Sequence, residues 1–190
     1  MKTLFRLFLF FTVAQVAFAA APAKEREETV FIHQNRRVTI TVPEGLGYAV
    51  EKDERGLITV RMADRKDQIT LSITFAPIPT DTFKSVRDRK DFIVENFQAY
   101  VGSSVEKAMQ FEELEPKIGA GSYCVFTDAS LIGKPRPSAN EFLHCVGGVK
   151  TWPGVIAVFS IFCQDTSSKE YAAALKTLRD SVHEKPSPML

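Results

Sequence analysis

The chain has 190 residues, with 24 basic and 23 acidic side chains and 45% apolar residues. A chain of this length can bury the core of one domain without disulfides or metals. The near-neutral charge argues against a nucleic-acid binder, which needs a basic face to neutralise phosphates.

The first 19 residues have the pattern of a secretory signal peptide. Lys2 and Arg6 give a positive start, an uncharged apolar segment follows, and Ala17 and Ala19 form the small-x-small cleavage pattern. We expect cleavage after Ala19 or after one of the two alanines that follow it. The other interpretation is an uncleaved anchor, but the apolar segment is shorter than the roughly 20 residues of a membrane span. The predicted location is therefore the periplasm or the exterior, without stable membrane insertion.

Strand-like segments dominate the first part of the mature chain, after a leader at 20–28 that we expect to be flexible because it is small and charged. These segments are rich in β-branched residues and alternate with a period of two. Ile69, Leu71, Ile73 and Phe75 share one face of the longest segment. The predicted strands are 29–33, 37–42, 48–52, 57–62 and 68–76.

The period then changes from two to 3.6. Apolar side chains recur on one stripe over 81–101, which predicts an amphipathic helix with Asp81 as its N-cap and Gly102 as its stop. Residues 105–114 are ambiguous, because their acidic end suits a helix. Their position between a helix stop and a strand favours an edge strand.

The second half is predicted as three antiparallel strands and a helix. Ser167 and Glu170 fit a capping box that would begin the helix. We expect one domain over 29–185 and a frayed tail over 186–190. The three strands are 121–131, 139–150 and 154–163.

All three cysteines lie in these strands. Positions estimated from the two turns place Cys124 nearly opposite Cys145 and place Cys163 opposite Phe142. An exported protein meets an oxidising environment. We therefore predict a disulfide between Cys124 and Cys145, with Cys163 as a buried free thiol. The alternative is three buried reduced cysteines that act as small apolar groups.

Catalytic patterns are absent from the sequence. His33, His144 and His183 do not stand at metal-ligand spacings with one another or with a pair of cysteines. The glycines at 119 and 121 precede a strand and not a helix, so they do not form a phosphate loop. We predict no catalytic residue, metal site or cofactor, and hence a protein that is not an enzyme.

Two turns offer candidate residues for binding a protein partner. Lys134 and Arg136 lie in a stiff, proline-containing basic loop, and Trp152 lies at the next turn. Tryptophan and arginine are enriched at interface hot spots. The alternative for Trp152 is packing over its hairpin or onto a helix.

The order of elements resembles the PsbP/Mog-like family. The resemblance is carried by VTITVPEGLGYAV (38–50), by the helix after APIPTDTF (76–83) and by the capped helix after FSIFCQD (159–165). The resemblance covers about residues 29–183. It concerns the order of the elements and not a specific sequence motif. Leu46 follows the first turn at the point where the family often has a tryptophan.

The resemblance implies an α+β fold in which an antiparallel sheet is flanked by helices, an α/β/α sandwich. Members of the family are accessory and binding proteins, such as extrinsic subunits of photosystem II, Ran-binding factors and bacterial envelope proteins, and they share no catalytic residues. A periplasmic accessory protein with a protein partner is therefore the leading hypothesis. A small-ligand or lipid binder with an apolar pocket between sheet and helix is the second, and an uncharacterised hydrolase is the third.

Overall fold

The computed structural model describes residues 24–32, 36–64, 66, 68–134 and 141–184. The predicted signal peptide and tail lie outside these residues. The prediction of a flexible leader over 20–28 is wrong for residues 26–28, because they begin the first strand. The elements are β1 Arg26–Ile32, β2 Arg36–Val42, β3 Gly47–Lys52, β4 Ile58–Ala63, β5 Ile69–Pro77, α1 Val86–Val101, β6 Phe111–Glu113, β7 Ala120–Thr127, a 3-10 turn Ala129–Leu131, β8 His144–Trp152, β9 Val155–Cys163, α2 Lys169–Asp180 and β10 Val182–Glu184.

The strands form two antiparallel sheets, which confirms the predicted α+β class. Seven strands form the large sheet in the order β3-β4-β5-β9-β8-β7-β6, and β1, β2 and β10 form a small sheet with β2 at its centre. The predicted edge strand within 105–114 is β6, which is only three residues long. The sequence did not predict β10, or that the first two strands leave the large sheet.

The large sheet separates two apolar cores. On one face, alternate residues of β4 and β5 pack against the small sheet and α2. The predicted buried face of β5 is confirmed, since Ile69, Leu71, Ile73 and Phe75 are each at most 1% exposed. On the other face, α1 covers β7 and β8. Within the described residues, neither helix is both long and apolar enough to span a membrane.

Helix α1 begins five residues later than predicted. Ser85 is the N-cap, its Oγ accepts from the backbone N–H of Asp88, and the Asp88 carboxylate accepts from the Ser85 backbone N–H. This capping box satisfies two free donors at once, so Asp81 is not needed as a cap. Similarly, Ser168 and not Ser167 is the N-cap of α2.

A glycine and a buried arginine hold α1 on the sheet. Phe97 packs directly on the bare backbone of Gly147, where a side chain would overlap its ring. Arg89 donates from Nε to Ser122 Oγ (3.1 Å) and from a guanidinium nitrogen to Glu113 Oε2 (3.1 Å). Helix α1 is therefore attached to the edge of the sheet as well as to its centre.

The predicted Cys124–Cys145 disulfide is wrong. Cys124 pairs with Gly147, and Cys145 pairs with Phe126, so the two cysteines are diagonal neighbours. Diagonal neighbours lie about 7–8 Å apart, too far for a disulfide with Cβ atoms about 3.8 Å apart. All three cysteines are buried and free, as the alternative interpretation held.

The turn between β8 and β9 explains a second register error. Pro153 and Gly154 alone form the loop, Gly154 has the expected positive φ of 82°, and Trp152 pairs with Val155. Cys163 consequently lies opposite His144 and not opposite Phe142.

Candidate functional site

The structure separates the three predicted partner-binding residues. Lys134 is exposed, and Arg136 lies outside the described residues. Trp152 is only 4% exposed and belongs to the larger apolar core. Its ring lies against His183 of β10, with 6.3 Å between ring centroids. The packing alternative is therefore the correct one for Trp152, and its side chain is not available to a partner.

Lys150 is the buried charged residue that sequence reasoning missed. It is 0% exposed and stands on the β8 face that packs against α2. Its Nζ donates to the backbone oxygens of Leu178 (2.7 Å), Arg179 (3.0 Å) and Ser181 (2.7 Å), and to Ser181 Oγ (3.0 Å). We call this arrangement the Lys150 site. These oxygens belong to the C-terminal end of α2, where free carbonyl groups and the helix dipole attract a cation.

The electrostatics of the Lys150 site are those of an enclosed cation. Nζ lies 4.7 Å from the ring centroid of Trp152, within cation–π range. Burial lowers the pKa of Lys150 to about 7, while the charge of Asp180 acts in the opposite direction. Burial therefore disfavours the charge, but the four hydrogen bonds of Lys150 Nζ fasten α2 and the start of β10 to the sheet, and the lysine is a structural residue.

A pocket of about 250 Å³ opens at the C-terminal end of α1. It lies where α1, the end of β7 and the facing ends of β8 and β9 meet, and we call it the α1-end pocket. Four aromatic rings form most of its apolar lining. They are Tyr100, Phe126, Phe142 and Phe162.

The four rings form two pairs. Tyr100 stacks on Phe126 with 5.7 Å between centroids, and Phe142 lies 5.9 Å from Phe162 at an interplanar angle of 44°. Cys145 lines the pocket beside them. Burial raises the pKa of Tyr100 and of Cys145 to about 12. Both groups are therefore neutral near pH 7, and Cys145 is not an activated nucleophile.

Polar groups line the remainder of the pocket. Ser103, Thr127 and Ser130 contribute hydroxyl groups, and Asp128 and Glu141 contribute carboxylates. The described residues contain no group of three or more His, Cys, Asp or Glu side chains placed to hold a metal ion.

Backbone hydrogen bonds fix the segment that follows α1 against the end of β7. Val105 N–H donates to Thr127 O (2.8 Å), and Ala129 N–H donates to Ser103 O (3.1 Å). Ser104 is 1% exposed and forms an isolated bridge with Asp128. These backbone hydrogen bonds therefore hold this side of the pocket in a defined position.

Glu106 strengthens the same junction. Its carboxylate accepts from Thr127 N–H (2.9 Å) and from Thr127 Oγ1–H (2.7 Å). Partial burial opposes ionisation of Glu106, but the hydrogen bonds from Thr127 outweigh it and hold the pKa below the usual value.

The same network orients His144. The single hydroxyl proton of Thr127 is donated to Glu106, so the contact of 3.2 Å between Thr127 Oγ1 and His144 Nδ1 requires an Nδ1–H donor. Burial lowers the pKa of His144, with Glu106 and Asp165 acting in the opposite direction. His144 is thus neutral near pH 7, and it completes the hydrogen-bonded network around Thr127.

Sequence reasoning expected an apolar pocket between the sheet and the first helix as part of its second hypothesis. It did not identify the residues, which come from α1, β7, β8, β9, the 3-10 turn and the segments after α1 and before β8. The aromatic residues at 100, 126, 142 and 162 were visible in the sequence. Their convergence depends on strand register, which the turns did not give correctly.

The sequence matches no family model and no curated protein. The structure is similar to the solution structure of cyanobacterial PsbP (CyanoP) from Synechocystis sp. PCC 6803. The TM-score is 0.50, the identity is 13%, and the match covers 88% of this chain and 96% of that chain. At this identity the likeness concerns the fold alone. The chain therefore has a PsbP-like fold, which confirms the resemblance inferred from the order of its elements.

Proposed function

We propose that the protein is an exported, non-enzymatic accessory protein that binds a protein partner through the α1-end pocket. The observation that carries this proposal is a pocket of about 250 Å³ lined by four aromatic rings and edged by exposed polar residues. Its volume is below the roughly 300–1,000 Å³ of sites for drug-sized ligands. It is better matched to one side chain of a partner than to a lipid.

The surroundings of the pocket support the same proposal. Ile132 directly follows the 3-10 turn that lines the pocket and is 58% exposed, and Lys134 is exposed two residues later. An aromatic pocket with an exposed apolar neighbour and a polar rim has the anatomy of an interface hot spot. Lys134 remains a proposed contact of the partner. The pocket, and not the buried Trp152, is the proposed binding site next to it.

Site-specific photo-crosslinking tests the partner proposal. A benzoylphenylalanine placed at Ile132 in the producing cell is expected to give one discrete adduct with another protein. The same group at Val50, which is 47% exposed on β3, is the matched control. Ser103→Trp, which fills the pocket from its exposed rim, should abolish the Ile132 adduct. Equal adducts from both positions, or none from Ile132, would contradict the proposal.

Native mass spectrometry of the same preparations tests the second hypothesis. A small molecule retained by the wild type and lost from Ser103→Trp would assign the pocket to a small ligand instead. Export is tested separately by the N-terminal residue of the secreted protein. We expect it to be Ala20, and a chain that keeps Met1 in the membrane fraction would contradict cleavage.

A further inference from the structure

We infer that the α1-end pocket binds an uncharged aromatic side chain of the partner, such as that of a phenylalanine. The inference rests on the proposed function and specifies the chemistry of that same pocket. It follows from the apolar floor of the pocket, from the hydrogen bonds that its inner hydroxyl groups already make, and from the exposed apolar residues beside it.

The floor of the pocket is mainly apolar. Four of the described lining residues are buried, and three of them are Phe126, Leu131 and Cys145. A charged group placed on such a floor would lose its hydration without gaining a partner. An apolar side chain gains free energy there in proportion to the area that it removes from water.

The inner hydroxyl groups already have partners within the chain. Ser104, the fourth buried residue, donates from Oγ to Val101 O (3.1 Å) and accepts from the Lys107 backbone N–H (3.2 Å). Thr127 Oγ1 donates to the carboxylate of Glu106 (2.7 Å). A polar group at the tip of a ligand would have to compete with these bonds. The inner wall therefore favours a ligand whose tip needs no hydrogen bond.

The charged groups lie at the rim and include both signs. Asp128 is half-buried and its side chain accepts from Ser130 N–H at 2.8 Å, and Glu141 is exposed. Lys134 is also exposed, three residues after Leu131 of the lining. Charges in contact with water interact weakly and are screened by salt. The rim therefore does not select a charged ligand.

The rings favour an aromatic ligand over an aliphatic one. The Tyr100–Phe126 pair has an interplanar angle of 29°, and the Phe142–Phe162 pair has one of 44°. Aromatic rings attract one another in offset-stacked and edge-to-face arrangements, beyond the effect of the area that they bury. A further ring can make such contacts with either pair, and an aliphatic chain cannot. A pocket of about 250 Å³ accommodates one ring-bearing side chain.

Exposed apolar residues extend this surface beyond the pocket. Val105 directly follows Ser104 of the lining and is 50% exposed, and Ile132 directly follows Leu131 and is 58% exposed. The Val105 N–H donates to Thr127 O (2.8 Å), which fixes its place beside the wall. Contacts around a central anchor exclude water from it. We therefore expect the aromatic residue of the partner to have apolar neighbours that cover Val105 and Ile132.

Three amino-acid amides separate aromatic, aliphatic and charged ligands. N-acetyl-phenylalanine amide, N-acetyl-leucine amide and N-acetyl-lysine amide share one backbone and differ only in the side chain. Binding to the full mature protein is followed by amide shifts of Ser103, Ser104 and Asp128 in NMR titrations. We expect the phenylalanine amide to bind at least about threefold more tightly than either of the others. Its affinity should be the same at low and high salt.

Phe142→Leu supplies the variant for this experiment. Phe142 is a half-buried lining residue, and leucine removes its ring but keeps an apolar side chain. The change should weaken binding of the phenylalanine amide about threefold and leave the leucine amide unchanged. Phe31→Leu is the matched control, because Phe31 is 69% exposed on β1 of the small sheet, away from the pocket. The comparison of the three amides on the wild type does not depend on how well either variant folds.

The outcomes distinguish this inference from the function on which it rests. Equal binding of the phenylalanine and leucine amides would overturn the choice of an aromatic side chain while leaving a partner-binding pocket. Tightest binding of the lysine amide, lost as salt rises, would overturn the choice of an uncharged one. Failure of all three amides to shift the pocket signals would also overturn the inference, and the crosslinking at Ile132 would still decide the proposed function.

Discussion

The Lys150 site and the α1-end pocket lie on opposite faces of the same sheet and combine similar groups. Each places aromatic rings beside oxygen acceptors. At the Lys150 site the chain supplies the cation, and four oxygens of α2 and Ser181 accept its hydrogen bonds within 3.0 Å. The α1-end pocket has rings and carboxylates, but its described lining includes no basic side chain.

The difference between the two regions separates scaffold from surface. An enclosed lysine whose donors all meet protein acceptors has no capacity left for a ligand, so its role is to hold α2 in place. An open pocket lined by aromatic rings has that capacity. A strongly shifted pKa is therefore a poor guide to the functional site of this protein, because the pKa lowered to about 7 belongs to the structural Lys150.

The largest expected effect comes from removing the enclosed cation. Lys150→Met keeps most of the buried stem but removes all four hydrogen bonds of Nζ, while Leu178 O and Arg179 O keep only their contacts with Ser181 Oγ–H and Lys117 N–H. We expect the free energy of unfolding to fall by about 3 kcal/mol or more, measured by urea denaturation at pH 6, where the ammonium predominates.

Lys52→Met is the control for this change. Lys52 is exposed at the end of β3, so its loss should alter the free energy of unfolding by less than about 0.5 kcal/mol. A similarly small effect of Lys150→Met would mean that the ammonium does not fasten the helix, and the contrast with the pocket would fail.

A matched pair of glycine substitutions tests the two faces separately. Gly147 and Gly148 are adjacent on β8, and their side-chain positions point to opposite faces. A Cβ atom at Gly147 would overlap the Phe97 ring, and one at Gly148 would lie 2.5 Å from Phe159. Alanine at either position should destabilise the protein by about 1–3 kcal/mol through overpacking.

Only one of the two substitutions should disturb the pocket. Phe97 lies 6.3 Å from Tyr100 between centroids, so Gly147→Ala should shift the amide signals of Tyr100 and Ser103 in NMR spectra. Gly148→Ala should leave these signals in place. Equal shifts in both variants would show that the two faces are mechanically coupled.

A smaller, pH-dependent effect is expected at the junction behind the pocket. Glu106→Gln removes the carboxylate that accepts twice from Thr127, and should cost about 1 kcal/mol at pH 7. The pKa of Glu106 is lowered in the folded protein from an ordinary 4.5. The carboxylate therefore contributes its full stabilisation above that value and loses it as the pH falls through the lowered pKa.

The measurement compares wild type and variant by denaturation between pH 7 and pH 2.5. The difference in free energy of unfolding should shrink as the pH falls below 4.5 and then vanish. Glu95→Gln on the exposed side of α1 serves as the control. A difference that stays constant with pH would exclude ionisation of Glu106 as its source.

The sequence predicted elements far better than it predicted contacts between elements. The alternation of β5 and the stripe of α1 report local periodicity, and both were correct in kind. Cys124 and Cys145 show the limit, because an error of two residues in register separates a disulfide from two free thiols. Lys150 shows another, since one lysine in a strand gives no local sign that a distant helix end will enclose it.

The smallest expected effect concerns the thiols, which report access to each face. Cys145 lines the α1-end pocket and is 8% exposed, whereas Cys124 is 0% and Cys163 is 1% exposed. Burial raises the pKa of all three thiols to about 12. Each thiol therefore reacts slowly, and the access of the reagent determines which thiol reacts first. Methyl methanethiosulfonate should modify Cys145 first, as measured by peptide mass spectrometry over time. Equal rates at all three thiols would mean that the reagent enters through global unfolding, and the pocket would then be no more open than the Lys150 site.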